Sequence, residues 1–164
     1  MTGQAAVNED ILDLYRELIL DHARRPRHFG RLDNATHMAE GINPLCGDKL
    51  CVYLHIDDDE HIDAMSFEGS GCAISVASAS LLTDTLTGLS VEKAKALFSA
   101  VTGRLTLGGT RSQSDMDVDL EVPFAKIKAL DGVREFPSRV KCATLAWHAL
   151  HSALRQDALP ASTE

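Results

Sequence analysis

The sequence predicts an α+β fold: a small, mostly antiparallel three-stranded sheet with helices packed on one face. Two patterns give this class. Alternating apolar positions, the mark of strands, are confined to residues 36–67. Apolar positions at helical spacing occupy the stretch before and most of the stretch after. The length of 164 residues adds that one domain is enough, and that it can bury a core without metal or disulfide staples.

Each element can be justified in turn. Asn8 can cap a first helix, with Glu9 and Asp10 in its first turn beside the positive end of the helix dipole. Ile11, Leu12, Tyr15, Leu18, Ile19 and His22 then recur at helical spacing, until Pro26 ends the helix. This stripe is expected to cover one edge of the sheet. His37 to Ile42 reads as a third, edge strand. Leu50, Val52, Leu54 and Ile56 alternate with Cys51, Tyr53, His55 and Asp57, and a second alternation runs from His61 to Phe67. The run Asp57-Asp58-Asp59-Glu60 between them reads as a solvated hairpin turn, because it lacks the spaced ligands and glycine of an EF-hand loop.

Beyond Cys72 the composition turns to Ala, Ser and Leu. Ile74, Ala77, Leu81 and Leu82 mark one face of a helix that Gly88 closes. Ser90 caps another, running to Val101. Gly103 to Asp119 is polar and turn-rich and reads as a surface excursion. Leu120 to Leu130 reads as a short helix with Pro123 in its first turn, ended by Asp131-Gly132. Pro137-Ser138 opens the last helix, which carries Val140, Leu145, Ala149, Leu150, Ala153 and Leu154 on its apolar positions. His148 and His151 share a face of it, expected to be exposed rather than to bind metal. The domain is taken as residues 1–164, with flexible ends at 1–8 and 157–164 and an insertion at about 103–130.

The net charge is −8 and the charged fraction 24%. Both argue for a folded chain and against nucleic acid or an anionic membrane surface as partner. Arg24, Arg25 and Arg27 form a short basic patch on this acidic background. No basic and apolar leader opens the sequence and no apolar run nears the roughly 20 residues of a membrane span, so a cytoplasmic location is expected. In the cytosol a sparse set of four cysteines points to metal binding or catalysis rather than to disulfides.

Three of the four lie at expected element boundaries, in segments that carry glycine or proline. Cys46 sits in Asn43-Pro44-Leu45-Cys46-Gly47-Asp48. Cys72 follows Gly69-Ser70-Gly71, and Cys142 closes Pro137-Ser138-Arg139-Val140-Lys141-Cys142. Cys72 and Cys142 are both expected in the first turn of a helix, where unpaired N–H groups favour anionic sulfur. Cys46, Cys72 and Cys142 make with Asp48 a four-ligand set suited to tetrahedral Zn²⁺ or to an iron–sulfur cluster. Three thiolates and a carboxylate total about −4, which Zn²⁺ reduces to about −2. Arg139 and Lys141 flank Cys142, and Arg139 is a candidate for positioning a thiolate or Asp48. The intervals between the cysteines are long, and buried free cysteines are the alternative reading of the spacing. Cys51, inside a strand, reads as a packed side chain.

These motifs resemble the signature of the IscU/NifU-N family of iron–sulfur cluster assembly proteins. The matching segments are Asn43 to Asp48, Phe67-Glu68-Gly69-Ser70-Gly71-Cys72-Ala73-Ile74-Ser75 and Arg139 to Trp147, and the opening helix from Leu14 to His22 is also similar. The resemblance runs from about residue 11 to 155. Two features look like its SufU branch. One is the insertion between the second and third cysteines. The other is Lys141 where scaffold-type members carry histidine. The family's Leu-Pro-Pro-Val-Lys chaperone-binding motif is replaced by Val133-Arg134-Glu135-Phe136-Pro137.

The resemblance implies a SufU/IscU-like fold and Zn²⁺ on Cys46, Asp48, Cys72 and Cys142. It implies sulfur transfer, with Cys46 as acceptor of persulfide sulfur from a SufS-type cysteine desulfurase. In that scheme a histidine of the partner displaces Cys46 from zinc. A downstream SUF scaffold or apo iron–sulfur proteins would receive the sulfur. The alternatives are a scaffold holding a [2Fe–2S] cluster on the same ligands, or an interaction module with a purely structural zinc.

Overall fold

Period-two patterning builds the sheet where it was expected. The computed structural model describes residues 15–45, 47–106, 126–156 and 161–162. Strands β1 (His37–Asn43) and β2 (Asp48–Ile56) pair antiparallel from His37↔Leu54 to Asn43↔Asp48. Strand β3 (Ile62–Ser70) pairs antiparallel with β2, with a register shift at His55/Ile56. The turn between β2 and β3 is held by Asp57, whose Oδ1 accepts the N–H groups of Asp59 at 3.0 Å and His61 at 2.9 Å. Its carboxylate thus serves the turn's own backbone.

The edge assignment of β1 needs correction. The short strand β4 (Ala161–Ser162) pairs parallel with it at Gly41↔Ala161 and Ile42↔Ser162, giving the order β3-β2-β1-β4. Part of the tail expected to fray is therefore paired; residues 157–160 and 163–164 lie outside the described residues, as do 107–125. The far edge of β3 is lined by residues 28–30, with Gly30 N–H donating to the Phe67 carbonyl at 2.7 Å and Phe67 N–H to that of His28 at 3.0 Å.

Residues 15–24 form α1; the proposed cap at Asn8 and the positions of Ile11 and Leu12 lie outside the described residues. The helix is tied to α2 (Ala73–Leu86) through a buried triplet. Ser80 Oγ accepts the Arg27 N–H at 2.8 Å and meets His22 Nδ1 at 2.7 Å. Burial, then the nearby Arg27 cation, lowers the His22 pKa and favours the neutral imidazole, whose tautomer sets the direction of its bond to Ser80. Arg27 itself pairs with Asp21 at 2.5 Å, leaving Arg24 and Arg25 as the exposed part of the basic patch.

Helix α2 follows the expected bounds but not the expected burial. Ile74, Ala77, Leu81 and Leu82 were read as one apolar face, yet Ser75, Ser78, Ser80 and Thr83 are fully buried as well. Their hydroxyls are satisfied, as when Ser78 donates to the Ala143 carbonyl at 2.5 Å and Thr83 to that of Ser80 at 2.9 Å. Small hydroxylated residues thus let α2 lie between neighbours on all sides.

Helix α3 (Val91–Thr106) is capped by Ser90, whose Oγ accepts the Lys93 N–H at 3.2 Å. It runs beyond the expected end at Val101, taking the first residues of the supposed surface excursion. The short helix expected to stop at Asp131-Gly132 instead passes through them as a 3₁₀ helix (Lys128–Glu135), anchored by buried Ala129, Leu130 and Val133.

Helix α4 (Pro137–Arg155) starts with proline at its first position, as expected. It lies across the inner face of β1 and β2, beside α2 and α3. There Leu145, Trp147, Ala149 and Leu150 meet Leu50, Val52, Leu54 and Phe67 in one core. Gly41 makes the close approach possible: a Cβ there would stand 3.1 Å from Leu145 Cδ1 and 3.2 Å from Ala149 Cβ. His148 and His151 are not an exposed pair. Both are half-buried against Phe98 of α3, His151 stacked at 4.7 Å between centroids and His148 edge-on at 5.7 Å.

Candidate metal centre

Three elements deliver three ligand residues to one point. Asp48 opens β2, directly opposite Asn43 at the end of β1. Cys72 is the N-cap of α2, and Cys142 lies on α4. One ligand atom from each of Asp48, Cys72 and Cys142 lies within 4.8 Å of the others. Asp48 and Cys142 are buried, at 1% and 0% exposure, whereas Cys72 is partly open. Cys46 lies outside the described residues. Of its neighbours, Leu45 is 70% exposed and Gly47 has φ +69°, a left-handed conformation that glycine adopts freely.

The hydrogen bonds around Asp48 explain its orientation. Its Oδ1 accepts the Cys72 N–H at 2.8 Å, the first orphan donor of α2. In a capping box that donor is met from within the helix; here a strand residue does so. Ser75 Oγ donates to Oδ2 at 2.6 Å, and Cys72 Sγ lies 3.8 Å from the same oxygen. Gly71 is the consequence in sequence. A Cβ at that position would fall 2.8 Å from Asp48 Oδ1, closer than non-bonded atoms allow.

Cys142 corrects one expectation. It stands in the second turn of α4, five residues beyond Pro137, where the backbone N–H is already bonded within the helix. The helix-terminus argument therefore applies to Cys72 alone. What approaches Cys142 Sγ is Asn43 Nδ2 at 3.8 Å. The Oδ1 of this fully buried amide has no partner among the described residues. Arg139 is exposed in the first turn of α4, and among the described residues its side chain makes no hydrogen bond to Asp48, Cys72 or Cys142.

Cys51 stands apart, half-buried in β2. Burial, then the carboxylates of Glu40 and Glu68, pushes its thiol up, against a hydrogen bond with Tyr53 that pulls it down. That suits a packed thiol. Among the described residues, Asp48, Cys72 and Cys142 are the one group of three or more such side chains able to hold a metal.

The donor set fits a metal. On tetrahedral zinc, a sulfur at about 2.3 Å and an oxygen at about 2.0 Å stand about 3.5 Å apart, within a few tenths of an ångström of the 3.8 Å between Cys72 Sγ and Asp48 Oδ2. Two soft sulfurs and one oxygen, with one position left for a further ligand, suit zinc or an iron–sulfur cluster.

The reading from sequence missed Ser75 and gave Asn43 no role. Ser75 had a signal, being three residues after Cys72 and so on the same helical face. Gly71→Ala is expected to displace the Asp48 carboxylate and lower zinc affinity about 10- to 100-fold. Competition with a chromophoric chelator measures this, with circular dichroism confirming an unchanged fold.

Known proteins resemble the chain over most of its length. The family model described as the NifU-like N-terminal domain matches residues 14–143. The chain is 37% identical over 154 residues to the zinc-dependent sulfurtransferase SufU of Bacillus subtilis, covering 92% of this chain and 95% of that one. It is 36% identical over 145 residues to the iron–sulfur cluster assembly scaffold protein IscU of Streptococcus pyogenes, covering 88% and 85%. Among solved structures, a putative iron–sulfur cluster assembly scaffold protein for the SUF system from Fervidobacterium islandicum superposes with a TM-score of 0.71. It shares 30% identity and covers 84% of this chain and 94% of its own.

Proposed function

Because the chain belongs to the NifU-like N-terminal domain family, we propose that it is a zinc-dependent sulfurtransferase of iron–sulfur cluster assembly. The observation that carries this reading is the convergence of Asp48, Cys72 and Cys142, in a chain similar over nearly its whole length to a zinc-dependent sulfurtransferase.

Asp48, Cys72 and Cys142 would hold the zinc, with Cys46 as fourth ligand and sulfur acceptor. Bound zinc keeps coordinating thiols ionised at neutral pH while masking them as nucleophiles. The donor is the persulfide of a SufS-type cysteine desulfurase. Once the docking partner frees it from the metal, Cys46 Sγ would attack the outer sulfur of that persulfide. A new S–S bond forms on Cys46, the donor's S–S bond breaks, and the donor cysteine leaves as thiolate with no net oxidation. Cys72 and Cys142 stay in place, the latter under the amide of Asn43. Arg139, exposed in the first turn of α4, would meet the incoming partner or position the freed thiolate. The sulfur then passes to a SUF scaffold or to apo iron–sulfur proteins. A cytoplasmic setting, where thiols stay reduced, suits this chemistry; among the described residues no helix is long and apolar enough to cross a membrane.

A second reading is a scaffold for a [2Fe–2S] cluster on the same ligands, favoured by the similarity to IscU proteins. Anaerobic purification, metal analysis and a desulfurase assay with L-cysteine separate the two. The sulfurtransferase predicts about one zinc per chain, no iron chromophore, and turnover raised by the wild-type protein but not by Cys46→Ser. A cluster that passes to an apo-acceptor, with turnover unaffected, would establish the scaffold instead.

A further inference from the structure

We propose that Ser75 is a positioning residue for the metal ligands, fixing which oxygen of Asp48 is presented to the ion. This rests on the reading of Asp48, Cys72 and Cys142 as a zinc site. Ser75 is fully buried in the first turn of α2. Its hydroxyl lies 2.6 Å from Asp48 Oδ2, 3.6 Å from Cys72 Sγ and 3.3 Å from the Cys142 carbonyl. A single hydroxyl therefore touches all three ligand residues.

It has one proton to give, and the carboxylate is both the nearest and the strongest acceptor. The Asp48 carboxylate is then gripped at both ends, Oδ1 by the Cys72 N–H and Oδ2 by Ser75. It cannot rotate without losing a buried hydrogen bond. Oδ2 is the oxygen that faces Cys72 Sγ, at 3.8 Å, and Ser75 holds it there. Partners of this kind orient a ligand before the metal arrives, so their loss appears as weaker binding.

The test uses the full-length protein. Zinc affinity is measured by competition with a chromophoric chelator, and ligand geometry by the absorption bands of the cobalt-substituted protein. Ser75→Ala is expected to bind zinc about 10- to 100-fold more weakly and to shift the cobalt bands, with the far-UV circular dichroism of the metal-free protein unchanged. Ser75→Thr, which keeps the hydroxyl, is expected to restore both readouts. Should Ser75→Ala not fold, Ser75→Gly also lacks the hydroxyl and gives the same readout. Hydroxyl-free variants with wild-type zinc affinity and an unchanged cobalt spectrum would overturn the proposal, as would a Ser75→Thr protein no better than Ser75→Ala. A wild-type protein that binds no zinc would instead defeat the underlying metal-site reading.

Discussion

Cys142→Ala is expected to strip the site of its metal, lowering zinc affinity by at least about 100-fold. Loss of an outer partner alone costs about 10- to 100-fold, and Cys142 is proposed as a direct ligand. The change leaves one thiol and one carboxylate among the described members of the site, too few for a closed tetrahedron. The backbone loses nothing, because the N–H of this residue is bonded within α4 and alanine favours helix. Metal analysis after gel filtration against a chelator checks the loss, and far-UV circular dichroism checks the fold. Zinc retained at wild-type affinity would show that Cys142 is a core thiol and no ligand.

Trp147→Ala is expected to cost about 3–5 kcal/mol, a large share of the roughly 5–15 kcal/mol that holds a domain together. Trp147 is fully buried on α4, and its Nε1–H donates to Ser78 Oγ at 3.1 Å. Ser78 in turn donates to the Ala143 carbonyl. The indole therefore contributes core volume and locks α4 to α2, the helices that carry Cys142 and Cys72. A urea titration reads the loss directly. A midpoint within error of the wild-type value would mean that neighbouring side chains close the cavity at no cost.

The sequence made the fold legible wherever local pattern and tertiary packing agree. Leu50, Val52 and Leu54 alternate because one face of the sheet is covered, and Pro137 opens α4 because the first helical position needs no N–H. Reading failed where the two part company. Serines and threonines on α2 look polar in a periodicity analysis, yet Ser78 and Thr83 are buried, their hydroxyls spent on nearby carbonyls. The 3₁₀ helix ran through Asp131-Gly132 because Leu130 and Val133 dock in the core, a force that turn propensity does not register. The pairing of Ala161 and Ser162 depends on a strand some 120 residues earlier, beyond the reach of any local window.

The candidate site divides in the same way. Asp48, Cys72 and Cys142 stand out by type and by their glycine and proline neighbours. That Cys142 lies a turn deeper than expected, and that Asn43 and Ser75 reach toward the ligands, are facts of three-dimensional approach. Cys46, the residue on which the proposed chemistry turns, is known only from its place in the sequence.

Gly41 gives this arrangement a sense of scale. A single methyl group there would stand 3.1–3.2 Å from side-chain atoms of Leu145 and Ala149, which would have to give by a few tenths of an ångström. Cys142 rides one turn ahead of Leu145 on that helix, while Asn43 and Asp48 stay with the sheet. Any part of that shift passed on to α4 would open the distance between thiol and carboxylate. A glycine that touches none of the proposed ligands thus sets how closely the helix carrying one of them approaches the strands.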